Sequence, residues 1–217
     1  MRKPPSLYTL GEEIAHSLTH GVGALLSIAG LATMVTLAAL RGNAWHVVSC
    51  SIFGATLIFL YTASTLYHGV THPGAKKVLR VFDHSAIFLL IAGSYTPFTL
   101  VSLRGGWGWT LFVVVWGLAL IGIVYKVTAK NRFRFLSVLL YLAMGWLVLV
   151  AIKPLVNSVP MPGLILLLAG GLSYTLGVIF YAWKRLPYSH AVWHLFVLVG
   201  SACHFFAVLF YVIPRPS

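Results

Sequence analysis

Acidic side chains are almost missing from this chain of 217 residues: Glu12, Glu13 and Asp83 are the only three, against fifteen Lys and Arg. Charge of either sign is scarce as well, at 8% where a soluble domain carries about a quarter. With 59% apolar residues, that scarcity excludes a water-soluble globular fold. Cysteine is limited to Cys50 and Cys203, both inside apolar runs, so a disulfide framework is excluded and both read as packing residues. Low-complexity sequence is lacking too. The short echo between LIAGSYT at 90–96 and LAGGLSYT at 168–175 reflects the small residues common where membrane helices pack closely, and is no repeat.

What is present is a series of apolar runs. A helix crossing the hydrocarbon needs about 20 mostly apolar residues, and seven such runs appear, at 15–40, 44–69, 80–103, 107–126, 134–152, 162–184 and 189–212. The fold class expected is therefore all-α: a single seven-helix transmembrane domain over 1–217. The first run is long for a signal-peptide core and lacks a convincing cleavage site, so it is read as a retained span.

The net charge of +12 suggests nucleic acid only until its members are placed. Eleven of the fifteen basic residues fall in the N-terminal segment and alternate loops: Arg2 and Lys3; Lys76, Lys77 and Arg80; Lys126, Lys130, Arg132 and Arg134; Lys184 and Arg185. The positive-inside rule then puts the N-terminus in the cytoplasm and the C-terminus outside, in the cell membrane, or the inner membrane if the source is Gram-negative. The basic collar suits anionic lipid headgroups as partners. No nucleic-acid partner is expected.

Polar groups inside hydrocarbon are costly and usually face the bundle interior. His190 and His194 form H-A-V-W-H near the start of the seventh span, and i, i+4 spacing turns both imidazoles to one face. Ser64 and His68 repeat that spacing at the end of the second span, and Asp83 opens the third. Because the second span runs opposite to the third and seventh, His68, Asp83, His190 and His194 fall at one depth near the cytoplasmic boundary. Three neutral imidazoles with an open fourth position form the pattern of a catalytic zinc site. Asp83 would hold the bound water or act as its base. The alternative is that each histidine only hydrogen-bonds a neighbouring helix.

Other histidines are separated by distance or rotation. His46 lies about 33 Å of helix rise from His68, and His204 about 21 Å from His190. His72 and His84 default to surface or packing roles. Glu12, His16 and His20 share an i, i+4, i+8 stripe, so they are candidates for hydrogen-bonding the ligands; alternatively, Glu12 and Glu13 favour the positive helix N-terminus. Tyr95, Thr96 and Pro97 predict a kink, and Trp107, Trp109, Tyr188 and Tyr211 an interfacial belt.

The order of E-E, S-T-L-Y-H, F-D-H-S-A-I, A-G-S-Y-T-P-F, H-A-V-W-H and S-A-C-H-F-F along nearly the whole chain resembles the bacterial haemolysin III branch of the progestin and adipoQ receptor family. That superfamily includes the alkaline ceramidases. The resemblance implies a seven-helix bundle with intramembrane zinc bound by His68, His190 and His194. Asp83 stands beside its water and Ser64 nearby. It further implies a metal-dependent hydrolase acting on a membrane lipid amide or ester. The alternatives it leaves are a receptor or membrane-energy-homeostasis factor without turnover, and a cytolysin, as the family name suggests. The intramembrane polar residues cluster at one end of the bundle, which gives a pore little support. One departure stands out: where the family pattern has asparagine, this chain has His16, which either keeps a hydrogen-bonding role or adds a ligand.

Overall fold

A computed structural model describes residues 8–128 and 134–214, without the side chains of 134 and 135. Arg2, Lys3, Lys130, Arg132 and the side chain of Arg134, all counted in the basic collar, lie outside it. Among the described residues the chain is all-helical, and seven helices are long and apolar enough to cross a membrane. They are α1 (Leu10–Arg41), α2 (Ala44–Gly69), α3 (Pro73–Pro97, continued by a π-helical turn over Phe98–Ser102), α4 (Gly106–Thr128), a broken fifth, α7 (Met161–Ala182) and α8 (Ser189–Tyr211). The broken span joins α5 (Arg134–Gly145), a 3-10 segment (Leu147–Ala151) and α6 (Ile152–Ser158).

Helix starts differ from the apolar runs where caps, rather than hydropathy, decide them. Thr9 and Glu12 form a capping box, so α1 begins at Leu10, five residues before its apolar run. Pro73 occupies the first turn of α3, where its missing N–H costs nothing, and His72 Nδ1 accepts from the Ala75 N–H. The α3 helix therefore begins seven residues before 80. The fifth span runs to Ser158 because Pro154 sits in the first turn of α6 and tolerates the helix instead of ending it.

The expected kink in the third span takes the form of the π-helical turn directly after Pro97. The Tyr95 hydroxyl lies 2.9 and 2.8 Å from the carbonyls of Met144 and Gly145 and accepts from the Val148 N–H at 2.9 Å. One side chain of α3 thus satisfies the backbone groups released where the fifth span breaks, as hydrocarbon demands.

The helices α1, α2 and α8 meet around a core containing Met34, Phe53, Leu57, Tyr61, Val197 and Val208. Large apolar side chains left exposed, such as Leu25 and Ile28 on α1 and Leu120 and Ile121 on α4, form the lipid-facing surface of a multi-pass membrane protein. The α5 helix touches α3, α4 and α7 only sparsely. A cavity of about 1140 Å3, counting its open part, lies between α3, α5, α7 and α8.

Candidate metal centre

The end of the bundle that carries the starts of α1, α3 and α8 and the end of α2 gathers the histidines. Nitrogens of His68, His190 and His194 lie within 4.8 Å of one another, and a second group of the same tightness joins Glu13, His16 and His68. His46 and His204 lie outside both groups, and Asp83 belongs to neither.

Hydrogen bonds orient two of the rings. His68 Nδ1 donates to Glu13 Oε2 at 2.7 Å, which leaves its buried Nε2 without a partner. His194 Nδ1 lies 3.2 Å from the His16 carbonyl, which only accepts, and 3.1 Å from the Thr19 hydroxyl, which itself donates to the Ala15 carbonyl. The proton of His194 is therefore on Nδ1 and its lone pair on Nε2. An imidazole whose outer nitrogen donates to a carboxylate or carbonyl is the arrangement that orients metal-bound histidines. Glu13 is fixed in turn by Lys76, whose Nζ donates to Oε1 at 2.7 Å.

The remaining buried polar atoms test whether an ion fits. His190 Nδ1, both nitrogens of His16, both of His20 and the Ser64 hydroxyl are buried without a hydrogen-bond partner, as is His68 Nε2. An unsatisfied buried polar atom costs about 1–3 kcal/mol, and native proteins hold few of them. A cation would take up one lone pair from each imidazole that reaches it, so the group could hold a metal ion, while the N–H groups and the Ser64 hydroxyl need other partners.

Aromatic contacts close the group. Tyr8 stacks on His190 with ring centres 5.4 Å apart and meets His16 edge-on at 4.7 Å. His20 lies flat against His194, centres 3.5 Å apart and planes within 10°, and covers one face of that ring.

Glu12 and Glu13 divide the tasks the sequence left open. Glu12 accepts from the Thr9 N–H at 2.8 Å and from the Tyr188 N–H at 3.1 Å, tying the start of α1 to the turn before α8. Tyr188 there adopts φ 57°, a left-handed conformation uncommon outside glycine. Glu13, not singled out as a partner of the histidines, is the acid that reaches His68. Its signal was available: Glu13, His16 and His20 stand at i, i+3 and i+7, one helical stripe.

Asp83 lines the same cavity as His20, His190 and His194, and its Oδ2 is 3.4 Å from His84 Nδ1. His84 takes the packing alternative and is half-buried. Its Nδ1 donates to the Arg80 carbonyl at 2.7 Å and its ring reaches the cavity wall. Ser64 lies one turn above His68 on α2 and is 1% exposed. The cavity is lined further by Val178, Leu90, Tyr95, Trp146 and Gly171 and reaches His204, and its lining is mostly apolar.

Lys126, counted in the basic collar, is 5% exposed and donates to the Ser137 hydroxyl at 3.0 Å.

Comparison with known proteins agrees with this architecture. The profile of the family described as haemolysin-III related matches residues 8–205. A hemolysin-3 homolog of Bacillus subtilis is 51% identical over 210 residues, covering 97% of this chain and 99% of its own. Hemolysin-3 of Bacillus cereus is 51% identical over 206 residues, covering 95% and 94%. More distantly, the human monocyte to macrophage differentiation factor is 29% identical over 224 residues, covering 100% and 90%, which extends the likeness to the progestin and adipoQ receptor family. This chain, a multi-pass protein of the cell membrane, belongs to the haemolysin-III related family.

Proposed function

We propose that this protein is a zinc-dependent hydrolase of a membrane lipid amide or ester, with the metal held by His68, His190 and His194 near the cytoplasmic face. The observation that carries the reading is the convergence of three hydrogen-bond-oriented or unpartnered imidazoles, of which His190 and His194 line a mostly apolar cavity. An acyl chain lies in the apolar part, which places the bond to be cut beside the histidines. When bound, zinc supplies Lewis acidity and makes water a competent nucleophile near neutral pH.

The chain's own residues do the rest. Asp83, on the cavity wall with His190 and His194, accepts the proton of the attacking water and returns it to the leaving group. The Ser64 hydroxyl, with no competing partner, is available to donate to the developing oxyanion. Glu13 and the His16 carbonyl keep His68 and His194 in their binding tautomers. The apolar walls exclude water, which strengthens each of these interactions.

Metal analysis of protein purified without chelator tests the reading. About one zinc per chain is expected, lost in the double variant His190→Ala, His194→Ala. Fatty-acid release from a panel of lipid amides should fall about 10²- to 10⁴-fold in Asp83→Asn, the usual contribution of a general base. Metal-free native protein, or release indifferent to Asp83→Asn, refutes it.

One observation favours a second reading, a metal-containing receptor or homeostasis factor without turnover. A further imidazole, that of His16, stands where an open coordination position is needed.

A further inference from the structure

Four imidazole rings, not three, crowd the proposed metal position, although His16 groups with Glu13 and His68 and not with His190 and His194 as the ring now stands. The centres of the His16, His68, His190 and His194 rings are separated, pair by pair, by 4.6–5.5 Å. In a tetrahedral zinc site the metal–nitrogen distance is about 2.0–2.1 Å and the ring centre lies about 1 Å further out, so four bound imidazoles stand about 5 Å apart, centre to centre. All six separations lie close to that value.

Three properties of His16 go beyond proximity. It is fully buried, in a place where an unpaired polar ring is expensive. Neither of its nitrogens has a hydrogen-bond partner, so turning the ring towards an ion breaks no existing bond. Its edge-on contacts with His68 at 67° and His190 at 79° keep the ring edges, where the nitrogens are, free of face-to-face stacking. His20 lacks this last property: lying parallel to His194 at 3.5 Å, it runs alongside a ligand ring rather than converging with it.

A separate second ion at Glu13, His16 and His68 is the competing arrangement. Both oxygens of Glu13 are already engaged, one by the Lys76 ammonium and one by the His68 Nδ1 proton. A cation there would have to displace a proton and sit beside a fixed positive charge. His68 also has only one free lone pair, on Nε2, enough for one ion. The two groups therefore share one metal.

We infer that His16 is a fourth ligand of that metal and closes its coordination in the resting protein, so that substrate reaches the ion only by displacing the His16 imidazole. The inference rests on the metal reading above and adds a control on the same site. It makes the first helix, whose start is tied to α8 through Glu12 and Tyr188, the element whose movement opens or shuts the centre.

X-ray absorption on full-length, zinc-loaded native protein counts the imidazoles directly: four are expected, and three with a light-atom fourth ligand would overturn the inference while leaving the metal site standing. Cobalt-loaded His16→Asn should show a shifted visible spectrum, and millimolar free imidazole should return it to the native form by filling the vacated position. A spectrum that neither the substitution nor imidazole moves would also overturn it. The native-protein measurement decides the matter even if His16→Asn folds poorly. Absence of bound metal in native protein overturns both this inference and the function it rests on.

Discussion

Glu13 Oε2 and His68 Nδ1 lie 2.7 Å apart, joining the first turn of α1 to the last turn of α2. The bond joins residues 55 positions apart in sequence. It fixes which nitrogen of His68 faces the other imidazoles. Removing the carboxylate charge while keeping the shape should therefore weaken metal binding without abolishing it. Glu13→Gln is expected to lower zinc affinity by about 10- to 100-fold, the range for partners that orient a ligand. Competition with a chromophoric chelator measures it. Glu12→Ala is the contrasting variant, since Glu12 contacts Thr9 and Tyr188 and no histidine nitrogen. It should leave zinc affinity within about threefold and instead cost about 1 kcal/mol of stability through the lost cap.

That contrast also marks how far the sequence could be read. Hydropathy located the seven spans because a membrane helix must be apolar for its whole length. The i, i+4 spacing of His190 with His194 and the shared depth of His68 pointed to the metal-like group without coordinates. Which of two adjacent acids reaches His68 depends on the rotation of α1 about its axis, and the stripe through His16 fits either acid at helical spacing. The break in the fifth span was illegible for a different reason: its backbone is satisfied by Tyr95, some 50 residues away on another helix. The cavity reaching His204 exists because α5 packs sparsely, a property of the assembled bundle rather than of any one segment.

Close helix packing gives a stability prediction independent of metal. A Cβ on Gly108 would meet the backbone carbonyls of Thr99 and Leu103, which cannot move aside without disturbing the π-helical turn. On Gly93 its nearest neighbours are the hydroxyl, methyl and Cβ of Thr56, of which the first two can turn aside while Cβ moves only with the helix. A Cβ on Gly117 has nothing within 4 Å. Gly108→Ala should be the most destabilising, beyond the ~1–3 kcal/mol typical of overpacking, and Gly93→Ala should fall within that range. Gly117→Ala should be neutral or gain about 0.5–1 kcal/mol from helix propensity. Thermal unfolding of the three variants in one detergent ranks them, and a reversed order of Gly108 and Gly117 would contradict the packing described.

The charge asymmetry predicts orientation. Lys76 lies at the start of α3 on the histidine end of the bundle, while Arg104 stacks over Trp45 at 4.3 Å at the other. In a background with Cys50 and Cys203 replaced by Ala, Arg104→Cys should react with a membrane-impermeant maleimide on intact cells. Lys76→Cys should react only after the cells are opened. The opposite pattern would put the metal centre on the outer face and reverse the positive-inside assignment.

The cavity permits a separation of binding from turnover. Gly171 on α7 lines it further from the histidine end than the start of α8, and takes part in neither metal group. Gly171→Leu adds bulk where an acyl chain would lie, its Cβ clear of close contact at 3.6 Å from Trp146, but removes no ligand and no proton acceptor. Zinc content and the cobalt spectrum should match the native protein. Release from long-chain lipid amides should fall at least about tenfold, the cost of roughly 1.4 kcal/mol at the transition state, while short-chain substrates keep most of their rate. Loss on both chain lengths together, with metal intact, would mean the acyl chain does not run through this cavity. An unchanged long-chain rate would mean the substrate reaches the histidines from another side of the bundle.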